Sequence, residues 1–142
     1  MIREEKDLLL KDLCARLPYG VKIELTWWVM GEGMYINTTL EPDHIEQLLN
    51  DEDGDTEIKP YLRPLSSMTK EESAEVSNII SEWYDEELFV LTEEPFLEYA
   101  LSKINYSINP RLFDWLNKKM FDYRGLIPKG LAEIAPEGMY NN

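Results

Sequence analysis

The strictest constraint on this chain is a change of period. From Val21 to Met30 the residues Val21, Ile23, Leu25, Trp27 and Val29 alternate with Lys22, Glu24, Thr26, Trp28 and Met30. Successive strand side chains leave on opposite faces, so this segment reads as a strand with one apolar face. Gly31-Glu32-Gly33 supplies a turn, and Met34 to Leu40 reads as the returning strand of a hairpin. Before it, Leu9, Leu10, Leu13, Cys14 and Leu17 follow helical spacing, which predicts a helix over residues 4–17. Glu4, Glu5 and Asp7 lie at its start, where the helix dipole favours anions, and Pro18-Tyr19-Gly20 stops it.

Beyond the hairpin, Pro42 to Asn50 fits either a short helix, with Ile45, Leu48 and Leu49 on one side, or an edge strand. Asp51 to Asp55 is a charged turn, and Thr56 to Leu62 reads as a third strand that ends near Pro64. The second half is helical in pattern. Thr69-Lys70-Glu71-Glu72 is a capping box followed by Val76, Ile79, Ile80 and Trp83 at helical spacing. A second helix is expected from Pro95, with Leu97, Ala100, Leu101 and Ile104 on one face. A third begins with Asn109 as cap and Pro110 as first residue, burying Leu112, Phe113, Leu116 and Met120. The tail from Tyr123 to Asn142 is loop-like. The expected class is α+β: an N-terminal helix, a small antiparallel sheet (the hairpin plus one or two further strands) and a helical C-terminal half.

The 142 residues suit a single domain over 1–142 with a core of its own. Lys and Arg number 14 against 28 Asp and Glu, and the resulting charge of −14 repels phosphates and anionic lipid heads. Direct nucleic-acid binding and membrane association are therefore not expected. A basic protein partner suits this charge, as does imitation of DNA, and its plainest use is to keep a monomer soluble. Cys14 is the sole cysteine, so no internal disulfide forms and a reducing compartment is inferred. With no apolar leader in Met1 to Lys11 and no apolar run of membrane-spanning length, the expected location is cytoplasmic.

Candidate chemistries are thin. Asp51, Asp53 and Asp55 match the first ligand positions of a calcium loop, but Thr56 replaces its glycine and Leu62 its final glutamate, so a solvated turn is the reading. His44, the only histidine, has no nucleophile assigned to it, and one histidine with one cysteine cannot build a structural zinc site. Cys14 reads as a core residue among leucines. Acidic pairs such as Glu86-Glu87 and Glu93-Glu94 arise readily among so many carboxylates. Gly31-Glu32-Gly33 lacks the third glycine of a dinucleotide loop. No catalytic, metal or cofactor-binding residue is assigned, and no cofactor is expected. Trp27 and Trp28 point to opposite faces, so one indole lies on the far side of the sheet, where coverage by a later helix is expected over exposure as an anchor. Arg124 is read first as partner of a carboxylate or of helix carbonyls, and second as a contact residue. Trp28, Tyr61, Arg63, Tyr123 and Arg124 form the candidate protein-binding set, since Trp, Tyr and Arg are enriched in binding hot spots.

Three segments carry a resemblance: Leu10 to Lys22, Lys59 to Thr69, and Asp114-Trp115-Leu116-Asn117 with Phe121 through Leu131. They resemble a family of small uncharacterised proteins of gut Bacteroides-type bacteria, their phages and mobile elements. The resemblance covers somewhat over a third of the chain and implies a variable set of strands between the first helix and Lys59. Relatives carry histidines just before Phe-Asp-Tyr-Arg, where this chain has Lys119 and Met120, so no histidine chemistry carries over. The family brings no assigned activity. The expected function is a non-enzymatic accessory role through protein–protein contact in a phage or mobile-element setting. The alternatives are an acidic DNA mimic that inhibits a host nucleic-acid enzyme, and a small carboxylate-dependent hydrolase.

Overall fold

A computed structural model describes residues 2–51, 56–81 and 110–140. The chain is α+β, and its described residues fall into two compact units, Met1–Arg63 with Arg124–Asn142, and Pro64–Tyr123. The helix expected from Pro95, the cap Asn109 and the Trp83 position lie outside the described residues.

The first unit opens with α1 (Arg3–Arg16), followed by β1 (Lys22–Val29), β2 (Glu32–Thr39), α2 (Pro42–Asn50) and β3 (Thr56–Leu62). A two-residue strand in the tail, β4 (Glu133–Ile134), completes a four-stranded sheet of order β2-β1-β3-β4. The first three strands are antiparallel as expected, whereas β4 runs parallel to β3. Pro42 at the start of α2 and Glu41 as its cap resolve the ambiguous segment as helix. The Nδ1 of His44 accepts the Glu41 N–H at 3.0 Å, so the only histidine closes a helix end.

The hairpin turn is tighter than the glycine pattern suggests. Val29 pairs with Glu32, leaving Met30 and Gly31 as the two loop residues, both at positive φ (53° and 83°). Two positive φ values are the signature of the turn that matches strand twist, and a non-glycine side chain is strained there. Met30 is fully exposed, so its side chain returns no packing for that strain. Met30→Asn is expected to stabilise the protein by about 0.5–1 kcal/mol, read as a shift in urea midpoint at constant slope.

Two expectations for this unit are corrected. Cys14 is exposed rather than part of the core. The buried stripe of α1 is Leu9, Asp12, Leu13 and Arg16, rotated from the leucine-and-cysteine stripe so that an ion pair goes inside. Arg16 Nε donates to Asp12 Oδ2 at 2.9 Å, and Arg124 Nη1 donates to Asp12 Oδ1 at 2.7 Å. A carboxylate held between two guanidinium groups tolerates burial that neither charge would tolerate alone. Trp28, expected beneath a helix, is instead 55% exposed. The apolar sheet face around Ile23, Ile58 and Leu62 is the buried one, and Trp28 belongs to the opposite face.

The second unit contains α3 (Lys70–Ser81) and α4 (Pro110–Lys118). Val76, Ile79, Leu112, Phe113, Leu116 and Phe121 form its buried cluster. Trp115 Nε1 donates to Glu75 Oε2 at 3.0 Å, tying the two helices together, and the Trp115 ring stacks on Phe121. Met120 ends α4 at φ 63°, with Phe121 N–H bonding Leu116 C=O and Met120 N–H bonding Asn117 C=O. This is the left-handed helix stop normally given to glycine, kept here by methionine because its side chain is buried. The capping box forms as the pattern predicts: Thr69 Oγ1 accepts the Glu72 N–H at 3.2 Å and Glu72 Oε1 accepts the Thr69 N–H at 3.0 Å. Thr69→Ala is expected to cost about 1 kcal/mol, seen as faster amide exchange in the first turn of α3.

Candidate interaction surface on the hairpin

The two faces of the sheet differ in what they hold. On one, Ile23, Leu25 and Trp27 of β1 align with Thr38, Ile36 and Met34 of β2 and with Pro60, Ile58 and Thr56 of β3. Burial is complete at Ile23 and Ile58 and fades toward the turn, where Val29, Met34 and Ile36 are each about half exposed. On the other face lie Glu24, Thr26 and Trp28 with Asn37, Tyr35 and Gly33. The Trp28 ring lies on Gly33, its cross-strand partner; a Cβ there would approach the indole to 2.8 Å. Glycine at this position lets the indole lie flat on β2 with its other side toward solvent. Trp28, Val29, Met30, Met34, Tyr35 and Ile36 therefore make one exposed apolar end of the hairpin, with Tyr35 70% exposed. Apolar residues gathered at one end of the hairpin, Trp28 and Tyr35 on one face and Val29, Met34 and Ile36 on the other, mark an interaction surface in a way that scattered ones do not.

The polar face beside this end is internally satisfied. The buried Tyr61 hydroxyl is 2.8 Å from Asn37 Oδ1 and 3.2 Å from Glu24 Oε2, sharing its proton between these acceptors. Burial, then the Glu24 charge, pushes the Tyr61 phenol above its ordinary value, so it is protonated near neutrality. Lys59 Nζ lies 3.3 Å from Glu57 and 3.6 Å from Glu133. Partial burial lowers its pKa, but the two carboxylates outweigh that and raise it on balance, so Lys59 is a cation here.

The five sequence-selected contact residues do not share one setting. Trp28 is on the exposed hairpin end; Tyr61 is turned into the hydrogen-bonded network; Arg63, half-buried, follows β3; Arg124 bonds Asp12. Tyr123 belongs to the second unit, where its hydroxyl donates to Asn117 Oδ1 at 2.8 Å and its ring meets Phe113 edge-on. Met34, Tyr35 and Ile36 were absent from that set, because β2 looks in sequence like any half-buried strand. Charge order is the signal that points to this region. From Ile23 to Ile58 there are ten Asp and Glu residues and no Lys or Arg. Part of that acid lines an open depression formed by Asp43, Glu46, Gln47, Asn50, Asp51 and Thr56. Asp51 Oδ2 accepts the Thr56 N–H at 3.0 Å, while Asp53 and Asp55 lie outside the described residues. No cluster of three or more metal-ligating side chains occurs among the described residues, and none of their helices is long and apolar enough to cross a membrane.

Fold and site together define an α+β protein with a half-uncovered sheet and an open, apolar hairpin inside an acidic segment. No family model, curated protein or solved structure matches the chain.

Proposed function

We propose that the protein is a non-enzymatic accessory factor that works by protein–protein contact, with the β1–β2 hairpin as its contact surface. The observation that carries this reading is the exposure of Trp28, Val29, Met30, Met34, Tyr35 and Ile36 on one hairpin end. Fully burying a large apolar side chain is worth about 1.5–3 kcal/mol, and a partner would recover the share of that which these partly exposed residues leave in water. The resemblance to small proteins of phages and mobile elements suits such a role in a bacterial cytoplasm. A DNA mimic needs carboxylates spaced like phosphates on one face, and the apolar side chains at the hairpin end favour a protein partner read through apolar contact instead.

The test is site-specific photo-crosslinking. The crosslinker is placed at Met30 or Tyr35, with exposed Lys129 as control, in extract of the source cells. A discrete adduct from the hairpin positions, absent from the control and abolished by Ile36→Lys, is the expected result. Equal labelling from all three positions refutes the reading.

A further inference from the structure

Resting on that reading, we propose that the open edge of β2 accepts, as an added strand, an extended segment of another protein in which apolar and cationic residues alternate. Among the described residues β2 is the outermost strand of the sheet, and its residues 32–37 are exposed. Leu40 N–H bonds Val21 C=O at 2.8 Å, and antiparallel rungs alternate along the register from that point. Met34, Ile36 and Thr38 thus direct their backbone groups to β1, while Gly33, Tyr35, Asn37 and Thr39 direct theirs to the open edge. The devices that usually blunt such an edge are absent: β2 runs eight residues without proline, lysine or bulge, and its one charge, Glu32, is at its end.

The two faces dictate the partner's pattern. An added strand would set alternate side chains beside Met34 and Ile36, half-exposed aliphatic surface that asks for apolar residues. The side chains between them would lie beside Tyr35 and the Trp28 indole, aromatic faces that attract cations. Charge sets the sign. The hairpin's own charges are the carboxylates Glu24 on β1 and Glu32 on β2, and it belongs to the segment from Ile23 to Ile58, which holds no Lys or Arg. A second copy of this chain would bring the same carboxylates against their own kind, and nucleic acid or anionic lipid would be repelled likewise. A basic strand is the occupant that gains from every one of these features.

The experiment uses the full chain, isotopically labelled, and an eight-residue peptide of alternating valine and arginine. Two control peptides replace arginine by glutamate, or carry N-methyl groups on alternate amides. Amide resonances of Gly33, Tyr35, Asn37 and Thr39 should shift with the arginine peptide, which should bind at least about tenfold tighter than the glutamate one. Salt raised from about 50 to about 300 mM should weaken it several-fold. N-methylation on the edge-facing register should weaken it about tenfold, since main-chain bonds give a strand addition its affinity. The variant Glu32→Lys, which reverses the one charge on β2, should weaken the preference for arginine while keeping the native spectrum elsewhere. Equal binding of both peptides, shifts confined to other residues, or closure of β2 by a second copy would overturn the proposal. A hairpin crosslink that persists in that event leaves the broader reading standing, so the two fail separately.

Discussion

Asp12→Ala will destabilise the first unit by about 3–5 kcal/mol, a large part of what a small domain has in total. Asp12 and Arg16 are both fully buried, and the side chain of Arg124 is 14% exposed. The carboxylate uses one oxygen for each guanidinium, so its removal takes the counter-charge from between two cations in one step. It also detaches α1 from the chain at Arg124, more than a hundred residues later. Asp7→Ala, on an exposed part of the same helix, should change stability by no more than about 0.5 kcal/mol. Urea unfolding with amide exchange in α1 as the local readout distinguishes them. A loss at Asp12 below about 1 kcal/mol would show that the buried network is not what seats this helix. Replacing all three residues with apolar ones of similar volume should cost far less than the single change, because a buried ion network repays its own desolvation poorly.

The second large effect is alkaline. The Tyr140 hydroxyl accepts the Lys22 N–H and donates to the Tyr61 C=O, both at 2.8 Å. The β1–β3 ladder ends at Ile23 and Pro60, so this hydroxyl stands in for the next rung, Lys22 with Tyr61. Burial, the main cause, pushes its pKa up to about 12. An unfolded tyrosine titrates near pH 10. The folded state therefore holds its proton more tightly, and that stabilisation is complete below about pH 10 and lost as pH rises through about 12. The amount is on the order of 2 kcal/mol. Tyr61, also raised by burial and by Glu24, adds in the same direction. Urea midpoints measured from pH 8 to 12 should fall steeply over the upper half of that range. Tyr140→Phe should cost about 1–3 kcal/mol at pH 8, by leaving two backbone groups without their bridge, and should flatten much of the alkaline fall. A variant with an unchanged alkaline slope would separate this hydroxyl from the effect.

Local pattern accounts for most of the elements. Alternation located β1, the turn after it located β2 as the returning strand, Thr69 and Glu72 located the start of α3, and Pro110 with Leu112, Phe113 and Leu116 located α4 and its buried face. What periodicity misjudged was α1, whose leucines and cysteine suggested one stripe while Asp12 and Arg16 define another. Burial there depends on Arg124, and no window around residue 12 contains it. β4 is two residues long and carries no repeat to detect. The candidate site was half legible: Trp28 stood out by type, whereas Met34, Tyr35 and Ile36 look like ordinary strand residues until the sheet order makes β2 an edge.

The amino-acid sequence alone determined the α+β class, the hairpin, the capping box of α3 and the concentration of acid between Ile23 and Ile58, since each follows from neighbours within a few residues. Only the tertiary structure decided which sheet face is covered, which strand is left at the edge, and that Asp12 and Arg16 join Leu9 and Leu13 on the buried side of α1 while Cys14 is exposed. Those outcomes depend on contacts between residues far apart in the chain, such as Asp12 with Arg124 and Lys22 with Tyr140, and a local pattern cannot encode a partner it does not contain.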